Sequence, residues 1–533
     1  MTARRVLAIG FDGYEPSIAE RLMADGRLPR LRQLRDRSAR FRLDHGDAKR
    51  TGLAWEHVSL GQSPEACGRW AAIHFDPLGY RVVQRGTLAA PFPAHLDARA
   101  VIFDAPYFDL AAAPNCSGLV GWGAHDSGVR MHSVPVAVAA EISARFGGYP
   151  ASEFIYGFVW PDAGGARAMA DALVSAVEMR ANITSWLFAE RFPEWDLAMV
   201  VVSEFHSAIE ALWHGIDPAH PLHSAPSAAA ARDGILGVYE ATDRMVGRLC
   251  ERFPDCAIVV FSMHGMGAND SDLATMLLLP ELLYRARFGQ SLFVPRPEWV
   301  AAREGNPPLA PGEEWSVAVN ASLPKIATAR RSIWARVLNR LRLSERVQRA
   351  VGAVANRTTE SPIAWMPATR YHRFWAEMDA FALPSYYDGR IRINLAGRER
   401  EGRVAMRDYE SKCAAIAALL AACRNPRTGE PVVLAIDMPV RTDPLRATPT
   451  QADMVVTWRG APLGFVHPAL GLVGPAPYRR TGGHSGGHGF AYVAAGDADP
   501  GDHGVRSAFD VVPTLIHLLG AAKPSHMSGA SLL

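Results

Sequence analysis

Four short apolar runs punctuate the first half of the chain, and each ends in a polar cluster. Residues 6–11 run into Asp12-Gly13, and residues 101–103 into Asp104. Residues 197–202 run into Ser203-Glu204-Phe205-His206, and residues 257–261 into Ser262-Met263-His264-Gly265. Short runs rich in Val and Ile, apolar at successive positions, predict buried parallel strands. Between them lie stretches of helical character, notably 166–191 and 227–252. Strand and helix in alternation predict an α/β fold, a doubly wound and mainly parallel sheet with helices on both faces. In such a sheet the site lies beyond the carboxyl ends of the strands, so Asp12, His206 and His264 are expected to converge there.

The pattern changes near residue 283. Residues 283–440 are rich in Pro and Arg and carry short strand-like runs such as 390–395. They predict an inserted cap between a first core part, 1–282, and a closing core part, 441–533. Within the cap, residues 330–351 read as a basic amphipathic helix. Ile333, Val337, Leu338 and Leu341 recur at helical spacing, and seven arginines accompany one acid. Such a helix packs on the body, or else faces a membrane surface or an anionic partner. The last segment returns to α/β character, with a strand at 491–494 and a closing helix at 510–519 that has Pro513 near its start. Residues 221–231 read as a loop leading into a helix.

Composition narrows the classes. The 533 residues carry a net charge of +2, which gives no electrostatic case for a nucleic-acid polymer as partner. Six cysteines without a C-x-x-C pair indicate free thiols in a reducing compartment, so a cytoplasmic protein is expected. The run at 6–11 is too short for a signal-peptide core, and no run approaches the roughly 20 apolar residues of a membrane span. A homo-oligomer is compatible with all of this.

The polar clusters carry the candidate chemistry. Asp12 can ligate a cation, and Gly13 allows a close turn; an Asx turn would explain the pair equally well. His206 and Glu210 share one helical face, a credible half-site for a divalent metal, with His214 a turn further on. His484 and His488 lie in the glycine-rich run 481–489, able to bring imidazoles to a metal or a phosphate. Thr51 follows Lys49 and Arg50, and a hydroxyl in a basic loop is a candidate nucleophile for an anionic ester.

In order along the chain these segments resemble the alkaline phosphatase superfamily, in its type I phosphodiesterase/nucleotide pyrophosphatase-like branch. Ile9-Gly-Phe-Asp-Gly13 is similar to that branch's first metal aspartate. Thr51, followed in register by Trp55, Gly61, Pro64 and Gly68, resembles its nucleophile segment. Ser262-Met-His-Gly-Met266 resembles its Asp-His-Gly-Met turn, Thr481-Gly-Gly-His484 its late metal histidine, and Asp510-Val-Val-Pro-Thr-Leu515 its terminal segment. Residues 390–395, 397–399 and Trp122-Gly-Ala-His-Asp126 resemble cap segments.

The resemblance implies a hydrolase of small phosphodiesters or nucleotide-like phosphoesters, acting through a threonine nucleophile and a covalent phosphoenzyme. It implies one or two divalent ions, zinc first, with manganese or magnesium as alternatives. Asp12, Thr51 and His264 would hold one ion; His206, Glu210 and His484 the other. Lys49 and Arg50 would assist Thr51, and Arg480 and His488 would contact substrate. Three positions depart from the pattern: Met263 stands where a ligand aspartate is usual, His206 and Glu210 replace an Asp-x-x-x-His pair, and Leu60 replaces the Thr of a Thr-Gly. A thioether is a poor ligand for such ions, so the first ion loses a carboxylate. Two other functions fit the same scaffold: transfer of the bound group to an acceptor other than water, and ligand binding without catalysis.

Overall fold

The computed structural model describes residues 5–87, 89–126, 128–156, 162–302, 305–310, 313–324, 360–361, 363–439 and 443–533. The basic segment 330–351 lies outside them. A nine-stranded sheet forms the body. Its strands are β1 (Val6–Phe11), β2 (Ala39–Asp44), β3 (Ala100–Phe103), β4 (Cys116–Val120), β5 (His132–Val134), β6 (Leu197–Val202), β7 (Ala257–His264), β8 (His488–Ala494) and β9 (Gly501–Ser507). The spatial order is β9-β2-β8-β7-β1-β6-β3-β4-β5. The centre, from β7 through β1, β6 and β3 to β4, is wholly parallel; β8 and β5 run against their neighbours.

Alternation along each central strand explains why the sheet is doubly covered. Leu7, Ile9 and Phe11 of β1 join Ala198, Val200 and Val202 of β6 in one apolar layer. That layer is closed by α2 (Ala163–Trp186), α3 (Glu204–Leu212) and α4 (Ala228–Arg252). Val6 and Ala8 face the other side with Leu197, Met199 and Val201. There they meet Val58 of α1 (Ala54–Leu60) and Val511, Leu515 and Ile516 of α5 (Val511–Leu518). Successive residues of a strand point to opposite faces, so a run apolar at every position needs helices on both. Replacing Leu7, Ile9 or Leu197, each fully buried, by alanine would cost about 2–5 kcal/mol.

The expected helices and strands are present with shifted ends. The helix expected at 166–191 is α2 followed by a π-turn over Leu187–Arg191. The strand expected to stop at 261 extends to His264, because β8 pairs with β7 as far as His488 against His264.

A second apolar cluster, with Trp315, Trp375, Phe381, Ile391 and Trp458, belongs to a separate antiparallel sheet. Its strands, in spatial order, are Ala380–Leu383, Gly389–Ile393, Met454–Trp458 and Val433–Asp437. The arginines of the 390–399 segment are spent inside it. Arg392 pairs with Glu399 at 2.7 Å, and Arg398 reaches Asp453 at 2.7 Å. The other segment expected in the cap, Trp122–Asp126, lies instead in the loop after β4 of the main sheet. It resembles a cap segment only in sequence; its place is fixed by Asp104 at the end of β3, which accepts the Trp122 and Gly123 backbone N–H groups at 2.7 and 2.9 Å.

Candidate active site

Three adjacent parallel strands deliver the site. Asp12 follows β1, His206 lies four residues beyond β6 on α3, and His264 ends β7. Gly13 lets the first of these turn pass under α3: its φ is +72°, and a Cβ there would lie 2.4 Å from the His206 Cα. Asp12 Oδ2 stands 3.1 Å from His206 Nδ1. His206 Nε2 stands 3.2 Å from Glu210 Oε1, one helical turn on. His125, from the loop after β4, brings Nε2 to 3.4 Å from Glu210 Oε2 and stacks on His206 with ring centroids 3.8 Å apart. His484 closes the group, its ring 4.8 Å from that of His206 and 5.0 Å from that of His264.

These residues open onto a cavity of about 510 Å³ between the main sheet and the second body. Asp12, His125, His206, His264 and His484 form one end with Lys49 and Arg480; Trp55, Tyr107, Tyr156, Trp365 and Tyr386 are among the aromatic residues of the wall. Tyr387 lies over His484 at 4.0 Å. Lys49 Nζ donates to the Gly486 carbonyl at 3.0 Å. Arg480 donates from Nε to Asp272 Oδ2 at 2.6 Å, and its Nη1 presses against Glu210 Oε1.

Burial sets the charge states. It pushes the His264 imidazole down to about 4, against a smaller opposing effect of the Gly265 carbonyl. Burial, then the neighbouring cations and imidazoles, holds His125 and His484 well below the usual histidine range. All three are neutral at pH 7, the form that ligates metals. His264 Nδ1 lies 3.0 Å from the Gly265 carbonyl, which leaves Nε2 for the cavity. Burial alone would raise the Asp12 carboxyl, but His206 and Trp55 more than offset it and keep it below its ordinary range. Burial also lowers Arg480 to about 9, still cationic at neutral pH.

The donor set around α3 fits a divalent ion. His125, His206 and Glu210 each offer an atom within 4.8 Å of the others. Bonds of about 2.0–2.1 Å to a tetrahedral ion would place neighbouring donors about 3.3–3.4 Å apart. The Glu210 carboxylate comes near that spacing with a different oxygen toward each imidazole, Oε1 at 3.2 Å from His206 and Oε2 at 3.4 Å from His125, so one ion would draw the three donors closer together. Four buried atoms here, His125 Nδ1, His206 Nε2, Glu210 Oε1 and His484 Nδ1, make no hydrogen bond, although Arg480 lies against the carboxylate. Buried polar atoms without hydrogen bonds are uncommon enough to call for an ion or a water.

The other expected residues stand apart to different degrees. Glu210 sits just behind the cavity wall. Thr51 ends the turn Gly46–Thr51 between two lining residues, Lys49 and Gly52, but its own side chain does not line the cavity. Its hydroxyl donates to the Ala48 carbonyl at 2.7 Å and accepts the Leu53 N–H at 3.1 Å. Arg50 turns away to Thr457 Oγ1 at 3.0 Å. His488 is exposed and outside the cavity. Met263 is buried in the apolar layer on the α1 side of the sheet. Sequence reasoning missed His125 as a donor: its pentapeptide was noticed, but no spacing links residue 125 to residues 206 and 210.

A mainly parallel α/β sheet whose neighbouring strand ends bring imidazoles and carboxylates to a cation-lined cavity is the architecture of the alkaline phosphatase superfamily. The chain belongs within it to the type I phosphodiesterase/nucleotide pyrophosphatase family, whose model matches residues 6–320. That membership places it among phosphodiesterase- and pyrophosphatase-type hydrolases of phosphoesters. No curated protein matches the chain. Among solved structures it is similar to phosphonoacetate hydrolase from Sinorhizobium meliloti 1021 in complex with phosphonoformate, at 12% identity and a TM-score of 0.48, covering 97% of this chain and 96% of that one. It is also similar to an inactive threonine-to-alanine variant of murine ectonucleotide pyrophosphatase/phosphodiesterase 5 in complex with AMP, at 10% identity and a TM-score of 0.45, covering 99% of this chain and 97% of that one. No helix among the described residues is long and apolar enough to cross a membrane.

Proposed function

We propose that the protein hydrolyses a small phosphodiester, with Thr51 as nucleophile and a single divalent ion, zinc first, held by His125, His206 and Glu210. The observation that carries this is the convergence of four imidazoles, the Asp12 carboxylate and two cations on one cavity at the strand ends, with Glu210 against His125 and His206. When bound, the ion would supply Lewis acidity toward a phosphoryl oxygen.

The chain's own residues do the rest. Lys49 and Arg480 bind the anionic oxygens of the ester. Thr51 turns its hydroxyl from the Ala48 carbonyl into the cavity, a side-chain rotation at a backbone already flanked by lining residues. Its oxygen bonds to phosphorus, the P–O bond to one ester arm breaks, and the Thr51 proton passes to His264 Nε2. The departing alkoxide takes that proton from His264 Nε2 and leaves as an alcohol. Water then attacks phosphorus, passing one proton to His264 Nε2, and the threonine oxygen leaves and takes the proton back. The aromatic wall accepts a planar, nucleotide-like ester arm and keeps bulk water away.

The test is metal content of the purified protein together with p-nitrophenol release from bis-p-nitrophenyl phosphate and p-nitrophenyl phosphate. One ion per chain and diester turnover that is lost in Thr51→Ala support the reading. A metal-free protein whose turnover is indifferent to Thr51→Ala overturns it. Retained phosphate binding without turnover would identify a binding protein, and turnover that requires an added alcohol would identify a transferase.

A further inference from the structure

Asp104, Arg180 and Glu204 are three charged side chains with no exposed surface, and none lines the cavity. Arg180, in the last third of α2, grips both oxygens of Glu204. Its Nε lies 3.2 and 3.0 Å from them and its Nη2 2.9 Å from Oε1. The remaining nitrogen, Nη1, donates to Asp104 Oδ2 at 2.8 Å. Asp104 in turn accepts the backbone N–H groups of Trp122 and Gly123, the start of the loop that presents His125. Glu204 is the first residue of α3, two before His206 and six before Glu210. One guanidinium therefore ties the loop bearing His125 to the helix bearing His206 and Glu210, and its carbon lies 5.1 Å from the Trp122 ring.

The arrangement is a poor choice for stability alone. Each buried ion gives up its hydration, and well-packed apolar replacements of such groups are often as stable or more so. Asp104 also holds a φ of +56°, in the left-handed region that residues with a Cβ adopt uncommonly. What the ions supply that apolar groups cannot is direction: a planar fork with two carboxylates at fixed angles, and two N–H groups oriented on one of them.

We infer that Asp104, Arg180 and Glu204 are positioning residues that hold His125 within coordinating reach of His206 and Glu210. The inference rests on the proposal that those three residues receive a divalent ion. Residues that orient metal ligands in this way typically change metal affinity about 10–100-fold when altered.

The experiment titrates the full-length protein with Co²⁺, following visible absorption and, separately, thermal unfolding. The variants are Asp104→Asn, Arg180→Lys and His125→Ala. Asp243→Asn serves as control, because Asp243 is another buried carboxylate that accepts backbone N–H groups, at 2.7 Å from Leu31 and 3.3 Å from Arg30, away from the donors. The inference expects Asp104→Asn and Arg180→Lys to bind Co²⁺ at least tenfold more weakly with an altered spectrum, as His125→Ala does. Asp243→Asn should lower the midpoint of unfolding yet bind Co²⁺ as the wild type does. If one triad variant fails to fold, the other carries the comparison. Wild-type affinity and spectrum in a folded triad variant overturn the inference and leave the metal proposal standing, as does equal weakening in Asp243→Asn. A wild type that binds no Co²⁺, or binds it independently of His125, overturns the metal proposal and the inference with it.

Discussion

The two halves of the cavity floor are built from the same strand ends but differ in what they can hold. On the α3 side, His125, His206 and Glu210 each offer a donor atom within 4.8 Å of the others. On the Thr51 side, Asp12 and His264 face the cavity, but Met263 is apolar and the Thr51 hydroxyl is bonded within its own turn. Asp12 is itself drawn toward the α3 side by His206. Against the pattern the sequence resembles, one half presents an additional histidine and the other a methionine where a carboxylate is usual. Lys49 lines the cavity on the Thr51 side, and Arg480 lies as a fixed cation beside Glu210.

The sharpest way to break this comparison is at the nucleophile proposed for the poorer half. Thr51→Ala is expected to lower kcat/KM for a diester by about 10³-fold or more, roughly 4 kcal/mol of transition-state stabilisation, while leaving metal content at one ion. Steady-state kinetics and elemental analysis on the same preparation check it. Loss of the ion together with the activity would place Thr51 among the ligands and erase the distinction between the halves. On the richer side, Glu210→Gln keeps shape and removes the charge. It is expected to weaken Zn²⁺ binding about 10–100-fold or more by competition titration. It also leaves the Arg480 guanidinium with Asp272 as its remaining carboxylate partner, which should lower the unfolding midpoint.

Acid provides a third test, using histidines outside the proposed donors on both sides. Burial lowers His57, on α1, to about 3, and His214, just past α3, to about 4. Both lie below the ordinary value of about 6.5, so the unfolded chain binds protons that the folded one does not. Their contribution to stability is full above pH 6.5. It is lost as pH falls, through about 4 for His214 and about 3 for His57. Each is worth on the order of 3 kcal/mol by the usual conversion. Denaturant titrations at pH 7 and pH 4 should show this loss. His57→Asn and His214→Asn should each flatten it on its own side.

Much of the richer half was legible from residue spacing. His206 and Glu210 are four apart on one helical face, and the runs ending at Phe11 and Val202 placed Asp12 and His206 at strand ends. His125 was not legible, because its position depends on Asp104, Arg180 and Glu204, whose contacts span 18 to 76 residues of sequence. The poorer half was legible mainly through family resemblance. A resemblance indicates that a threonine belongs at position 51, but it does not indicate where the hydroxyl points. The end of β7 was misjudged because an antiparallel partner more than 200 residues away prolongs the strand.

Met263 offers a gain-of-function test. The register that pairs Gly10 with Phe261 continues to set residue 263 beside Asp12. Met263→Asp is therefore expected to raise zinc content from one ion toward two per chain, with a lower unfolding midpoint because the carboxylate enters an apolar layer. A content that stays at one would mean that the poverty of this half lies in Thr51 and its turn, not in residue 263.

The smallest effect is expected at His488. It was placed near the substrate because it shares a glycine-rich run with His484, yet four residues of a strand entrance separate two environments. The backbone of His488 pairs with His264 at the start of β8, while its imidazole is exposed and outside the cavity. An exposed side chain at a strand end contributes little to packing, and substitutions at such positions usually stay within about 0.5 kcal/mol. His488→Ala should therefore leave KM, kcat and metal content within about twofold of wild type, in contrast to His484→Ala, which removes a ring 4.8 Å from His206. A KM that rises several-fold in His488→Ala would show that the glycine-rich run closes over bound substrate and would extend the site beyond the two halves of its floor.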